Sequence, residues 1–246
     1  MVSRPLVAAD GRQIRHTGAG ARGAVTRQRD STADSAERLL WRERLSALLP
    51  SLYDAHLALI VGPAGAGKTT VLTQLTEAAR APVAWCLVER ADSEALPFLK
   101  RLERALVAAV PDLQGGWQDA ADAADELNVA VNTRTLLVLD DFHLLHGTSA
   151  EQMLERLLKL SRNPLAVLIG TRIRPAFNLS RLRACGEVAE VGADELRFRS
   201  WEVERLFREI YREPLPPEAL AALTRRTDGW AVGLHLFHLA TRGKPL

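Results

Sequence analysis

Gly62, Gly67, Lys68 and Thr69 stand at the spacing G-x-x-x-x-G-K-[ST] within the run HLALIVGPAGAGKTT, His56 to Thr70. Each residue type suits one task at a polyphosphate. Glycines let backbone N–H groups turn inward and approach an anion, and a helix opening at Lys68 adds the positive end of its dipole. The Lys68 ammonium can reach β- and γ-phosphates, and the Thr69 hydroxyl is a hard oxygen ligand for Mg²⁺. With only 4 lysines in the chain, a chance match at all four positions is expected in roughly 0.002 of sequences of this composition. The loop Gly62, Pro63, Ala64, Gly65, Ala66, Gly67, Lys68, Thr69, Thr70 is therefore read as a P-loop that binds a nucleoside triphosphate.

A second set of chemical groups follows about 70 residues on. Thr135-Leu-Leu-Val-Leu-Asp-Asp-Phe142 is an unbroken apolar run ending in two carboxylates, the pattern of a buried parallel strand that delivers acids to its C-terminal edge. In this Walker B pattern Asp140 holds Mg²⁺ opposite Thr69, and Asp141 polarises the attacking water as general base. Leu165 to Gly170 form another short apolar strand that ends in Thr171-Arg172. Where such a strand is added between the Walker A and Walker B strands, its end points at the γ-phosphate, and Arg172 becomes a sensor of that phosphate. Two His-x-x-His pairs, His143 with His146 and His235 with His238, have no Glu or Cys companion at ligand spacing. They are read as cap, core and surface residues rather than metal ligands.

Five parallel strands are needed to carry these groups: Leu57–Val61, Val83–Val88, Thr135–Asp140, Leu165–Gly170 and Glu187–Val191. Helices are expected from Lys68 to about Arg80, from Ser93 to Val110 and near Trp117 to Val131. Leucines at 39, 40, 45, 48 and 49 predict a further helix over Glu37–Leu49, ended by Pro50. From Asp194 onward the pattern is helical only, over Trp201–Tyr211, Pro217–Thr227 and Trp230–Thr241, and Asp228-Gly229 would turn the last N-terminus toward the nucleotide. The expected organisation is a disordered leader over 1–36, an α/β nucleotide-binding domain over 37–192 and a small all-helical lid over 193–246.

At 246 residues and 47% hydrophobic, the chain can bury one ordinary core and a small second unit. A net charge of +2 reflects a small excess of base rather than a basic face and says little about partners. Cys86 and Cys185 form no C-x-x-C spacing, no apolar run reaches the 18 or so residues of a membrane span, and the N-terminus lacks a secretory signal's apolar middle. A reduced, cytoplasmic protein is expected.

The residues resemble the signal-transduction ATPases with numerous domains, the STAND class of AAA+ and NB-ARC-like P-loop ATPases, and within it the ATPase module of MalT-like, LuxR-type regulators. The resemblance runs over about residues 38 to 243. Leu40-Trp41-Arg42-Glu43 resembles the stretch before the P-loop, with Trp41 where glycine is usual, and implies that Arg42 packs near the adenine. Val83-Ala84-Trp85, Leu137 to His143, Gly170-Thr171-Arg172 and Leu179 to Arg183 resemble the family's next strand, Walker B, sensor 1 and following segment. Leu196-Arg197-Phe198 with Glu202 resembles the junction into the helical domain. Asp228 to Leu234 resembles the Gly-Trp-Pro-x-Gly-Leu motif, with Ala231 where proline is common.

The resemblance implies an ATP/ADP switch with Mg²⁺ that hydrolyses slowly and self-associates, or binds a protein partner, in its ATP form. Its role would lie in signalling or transcriptional regulation. Family members typically continue into a winged helix, a repeat sensor and, in the activators, a helix-turn-helix. No second helical pair with a basic recognition face precedes Leu246, so direct DNA binding is not expected of this chain. Two other readings stay open on sequence alone: a nucleotide-binding interaction module that does not hydrolyse, and a small-molecule kinase using arginines 172, 174, 181 and 183 as its lid.

Overall fold

The computed structural model describes residues 39–161 and 165–243. The leader expected over 1–36 lies outside them. Arg42 is extended, and the chain then makes two short helices, α1 (Glu43–Ser46) and α2 (Leu49–Asp54). These replace the described part of the single helix expected over 37–49. Pro50 does not end a helix but sits in the first turn of α2, where its missing N–H has no intrahelical partner to lose.

Strand β1 (Leu57–Val61) runs through the P-loop into α3 (Lys68–Ala78), and β2 (Val83–Leu87) follows. A 3₁₀ turn at Arg90–Ser93 precedes α4 (Ala95–Ala109), so the helix expected from Ser93 starts two residues later. Next comes α5 (Ala120–Ala130), shorter than expected because the Asp119 carboxylate accepts from the N–H groups of Ala121 (2.6 Å) and Asp122 (3.1 Å) and so caps it. Trp117 stays outside that helix, buried, with its indole N–H on Glu126. Strand β3 (Thr135–Asp140) is followed by a 3₁₀ turn (Phe142–Leu145) and α6 (Ser149–Leu160), a helix absent from the sequence reading. Strand β4 (Leu165–Thr171), helix α7 (Ser180–Ala184) and strand β5 (Val188–Val191) complete the sheet region.

All pairings are parallel, in the order β2-β3-β4-β1-β5. The fold is thus α/β of the P-loop type, with β4 between the P-loop strand and the Walker B strand as the position of Arg172 requires. Side-chain alternation sorts the strands into two cores. Leu57, Leu59, Leu137, Leu139, Val167 and Ile169 face α4, α5 and α6, whereas Ala58, Ile60, Leu136, Val138, Ala166 and Leu168 face α3.

Beyond the sheet lie α8 (Ala193–Leu196), α9 (Ser200–Arg205) running into a π turn at Leu206–Ile210, α10 (Pro217–Thr227) and α11 (Ala231–Thr241). They enclose a third apolar cluster of Val203, Leu206, Phe207, Leu223 and Leu234, into which Leu40 inserts from the N-terminal segment. No described helix is long and apolar enough to cross a membrane.

Candidate functional site

Parallel strands bring their C-terminal ends to one edge, so β1, β3 and β4 deliver the P-loop, the two aspartates and Arg172 together. Gly62 N–H donates to Thr171 O of β4 (3.1 Å), which anchors the start of the loop. Gly65 (φ 72°) and Gly67 (φ 86°) take left-handed conformations that a side chain would strain, and Gly67 is the N-cap from which α3 opens at Lys68. Lys68 is buried, and its Nζ donates to Gly62 O (3.0 Å) and Pro63 O (2.9 Å). Burial lowers its pKa, and Arg172 lowers it further against the pull of Asp141 and Asp140. The ammonium is therefore held over its own loop by carbonyls that a phosphate can replace.

Thr69 Oγ1 donates to Asp140 Oδ2 at 2.6 Å, and Asp140 Oδ1 accepts from Asp141 N at 3.0 Å. A hydroxyl and a carboxylate side by side at the loop form the hard-oxygen set that Mg²⁺ takes together with phosphate oxygens. Among the described residues no group of three His, Cys, Asp or Glu is placed to hold a metal. Asp141 follows the strand in a left-handed conformation (φ 57°), with its side chain 42% exposed. Arg172 is exposed just past β4, and its charge acts on both Lys68 and His143.

His143 was read from sequence as a cap, core or surface residue. The structure places it beside the aspartates, with Nδ1 at 3.7 Å from Asp141 Oδ1. Burial, aided by Arg172, pulls it below the ordinary imidazole value against the pull of Asp141 and Asp140, which favours the uncharged ring. His146 lies 3.7 Å from Glu151, while His238 packs flat on Tyr211 and meets Glu213 at 3.0 Å. Gly170 is a site residue that sequence reasoning missed as such. A Cβ there would come within 2.7 Å of Asp140 Oδ1 and 2.8 Å of Leu72 Cδ1.

The helical segment closes the other side. Trp230 Nε1 donates to Ala64 O (3.1 Å) and Val232 N to Gly65 O (3.0 Å), which seats the N-terminus of α11 on the P-loop. Asp228 (φ 48°) and Gly229 (φ 69°) make the turn before it, held by Phe198 N–H on Gly229 O (2.8 Å) and by the Arg197–Asp228 ion pair. Between loop and helix lies a cavity of about 270 Å³ lined by Pro63, Ala66, Ala193, Leu196, Arg197, Thr227, Gly229, Trp230 and Ala231. Its largely apolar wall suits a nucleoside base next to the phosphate loop.

Arg42, expected among the nucleotide-binding residues, instead turns its guanidinium behind that wall. It donates to Leu196 O (2.8 Å), Arg197 O (2.7 Å) and Glu202 (3.2 Å), and stacks over Phe198 at 4.2 Å. Burial would raise the Glu202 carboxyl, yet the Arg42 hydrogen bond, the Arg199 amide and both nearby arginine charges hold it below the usual range. Arg42 itself is lowered by burial, which outweighs Glu202. The guanidinium starts so high that it stays charged, so the carboxylate's direction is the one that matters near neutral pH.

Known proteins are similar to this chain in sequence and in fold. The chain is 27% identical over 222 residues to the HTH-type transcriptional regulator MalT of Cronobacter sakazakii, across 84% of this chain and 24% of that protein. MalT of Yersinia pestis is 26% identical over 217 residues, with 82% and 24% covered. The chain thus spans about a quarter of the length of the curated relatives it matches. Among solved structures, the Walker-type ATPase PABY2304 of Pyrococcus abyssi superposes with a TM-score of 0.54 at 14% identity, covering 81% of this chain and 66% of that one. The STAND protein PH0952 of Pyrococcus horikoshii, which has a tetratricopeptide repeat sensor, gives 0.52 at 23% identity, covering 82% and 30%. These two likenesses concern the fold. The model of the AAA domain family matches residues 52–174, half of the chain and the part that carries the P-loop, both aspartates and Arg172, and the chain belongs to that family.

Proposed function

We propose that the chain is an ATP-binding, slowly hydrolysing, Mg²⁺-dependent molecular switch of the STAND type. We take 37–192 as its nucleotide-binding unit and 193–246 as its lid. The observation that carries the reading is the seat of α11 on the P-loop, through Trp230 on Ala64 O and Val232 on Gly65 O. A lid bonded to the phosphate loop itself must respond to what that loop holds.

Lys68 exchanges the carbonyls of Gly62 and Pro63 for β- and γ-phosphate oxygens, and the loop amides and the α3 dipole take the rest of the charge. Thr69 and Asp140 would hold Mg²⁺, which when bound there neutralises charge on the same oxygens. Asp141 accepts a proton from the attacking water as its oxygen bonds to the γ-phosphorus and the bond to ADP breaks. Arg172 stabilises the γ-oxygens and loses its partner when phosphate leaves. Without an arginine supplied by a neighbour, turnover of roughly 10⁻⁴ to 10⁻² per second is expected. The ATP form would self-associate or take a protein partner, and the role would be regulatory, in the cytoplasm.

Calorimetric titration of nucleotide-stripped protein tests the reading. ADP and ATP with Mg²⁺ should both bind, ADP the tighter, and Lys68→Ala should abolish binding. Normal ATP binding by Lys68→Ala, or undiminished turnover by Asp141→Asn, would overturn it. ATP that persists for hours in a single-turnover assay would assign a binding module without hydrolysis instead.

A further inference from the structure

The ring of His143 hangs from the 3₁₀ turn that directly follows β3, at the same sheet edge as Asp140 and Asp141. Its Nδ1 is buried and makes no hydrogen bond among the described residues. Buried polar atoms in native proteins are paired, so one left over asks for a partner that engages in another state of the site. Asp141 Oδ1 faces it at 3.7 Å, just beyond hydrogen-bond reach. Asp141 has its backbone set in a left-handed turn but its carboxylate 42% exposed, which leaves that carboxylate room to turn toward the ring. A neutral imidazole carries a single N–H, and a facing carboxylate favours the tautomer with that proton on Nδ1.

A general base must sit within about 2.6–3.2 Å of the proton it takes, and a half-exposed aspartate at a strand end samples several orientations. We infer that His143 is the positioning residue for Asp141: its Nδ1–H donates to one carboxylate oxygen and aims the other at the attacking water. A single N–H on Nδ1 engages one carboxylate oxygen and leaves the other free to face the water. This rests on the ATPase reading above and adds to it the group that orients its base.

Two measurements test it independently. Ring-nitrogen NMR of the nucleotide-free protein should show His143 with Nδ1 protonated, and its resonances should move in Asp141→Asn; an Nε2–H tautomer indifferent to Asp141→Asn would overturn the inference. Single-turnover hydrolysis should slow by about tenfold or more in His143→Ala, with ATP affinity changed less than about twofold, as for a group acting on the chemical step. His143→Asn, whose amide can place a donor near the Nδ1 position, should recover most of the rate and guards against a folding defect. In an Asp141→Asn background, His143→Ala should change the rate no further, because two residues acting as one unit are non-additive. A wild-type rate in His143→Ala, or an undiminished effect in the Asp141→Asn background, would overturn the inference. Should the wild type not hydrolyse ATP while the NMR result holds, the pairing stands and the ATPase reading falls.

Discussion

Gly170 lies beside Asp140 on the neighbouring strand, close enough that a methyl on its Cα would press on the carboxylate and on Leu72 together. Leu72 belongs to the packed core of α3 and cannot retreat cheaply, so Gly170→Ala should push Asp140 away from Thr69. Losing a charge-assisted hydrogen bond of this kind corresponds to about tenfold or more in affinity. Gly170→Ala should therefore bind ATP with Mg²⁺ about tenfold more weakly while ADP without metal changes less than about twofold; equal losses in the two titrations would count against Asp140 as the metal-side ligand. The P-loop residues were legible from sequence because their spacing is local. The demand on Gly170 was not, because it comes from a strand neighbour 30 residues earlier in the chain.

Single elements are tied across the chain by Arg42 and Glu202, which are 3% and 1% exposed and join the segment before α1 to the start of α9. Breaking a buried pair by removing one partner strands the other charge and costs about 3–5 kcal/mol. Arg42→Ala should lower the free energy of unfolding by about that much in denaturant titration, and Arg42→Met with Glu202→Leu should recover a large part of it. The sign of the pH dependence follows from the carboxylate. Glu202 is held below its ordinary value near 4.5, so the unfolded chain binds its proton first as pH falls. The contribution is complete above about 4.5 and is lost as pH drops through the lower folded value, and the wild type should lose its advantage over Glu202→Gln across that window. The same tie explains why the helix expected over 37–49 is broken. Leucine spacing reads as helical, but Leu40 is drawn into the apolar cluster of the C-terminal helices and Arg42 to a carboxylate 160 residues away. Helix α6 is a different case. Thr148 as its cap and Ala150, Met153, Leu154, Leu157 and Leu158 as its buried face are local signals present in the sequence.

For the whole molecule the decisive relation is between sheet edge and helical segment, because the cavity beside the P-loop has walls from both. Sequence pattern marked α9, α10 and α11 among the four described helices beyond the sheet, but no pattern could show that Trp230 and Val232 bond the P-loop carbonyls, since that depends on how the two parts dock. Ala231 stands where proline is common, and its Cβ lies 3.8 Å from where a Gly67 side chain would begin. If this docking gates the cavity, weakening it should act on release more than on capture, since affinity changes within one site fall mainly on dissociation. Trp230 is the residue to remove, because its indole both lines the cavity and donates to Ala64 O at 3.1 Å. One hydrogen bond together with part of an aromatic wall corresponds to about tenfold or more. Trp230→Ala should release a fluorescent ADP analogue about tenfold faster in stopped-flow displacement, with association changed less than about threefold. Unchanged release would mean that the lid rests on the loop without gating it, and the switch would then need another moving part.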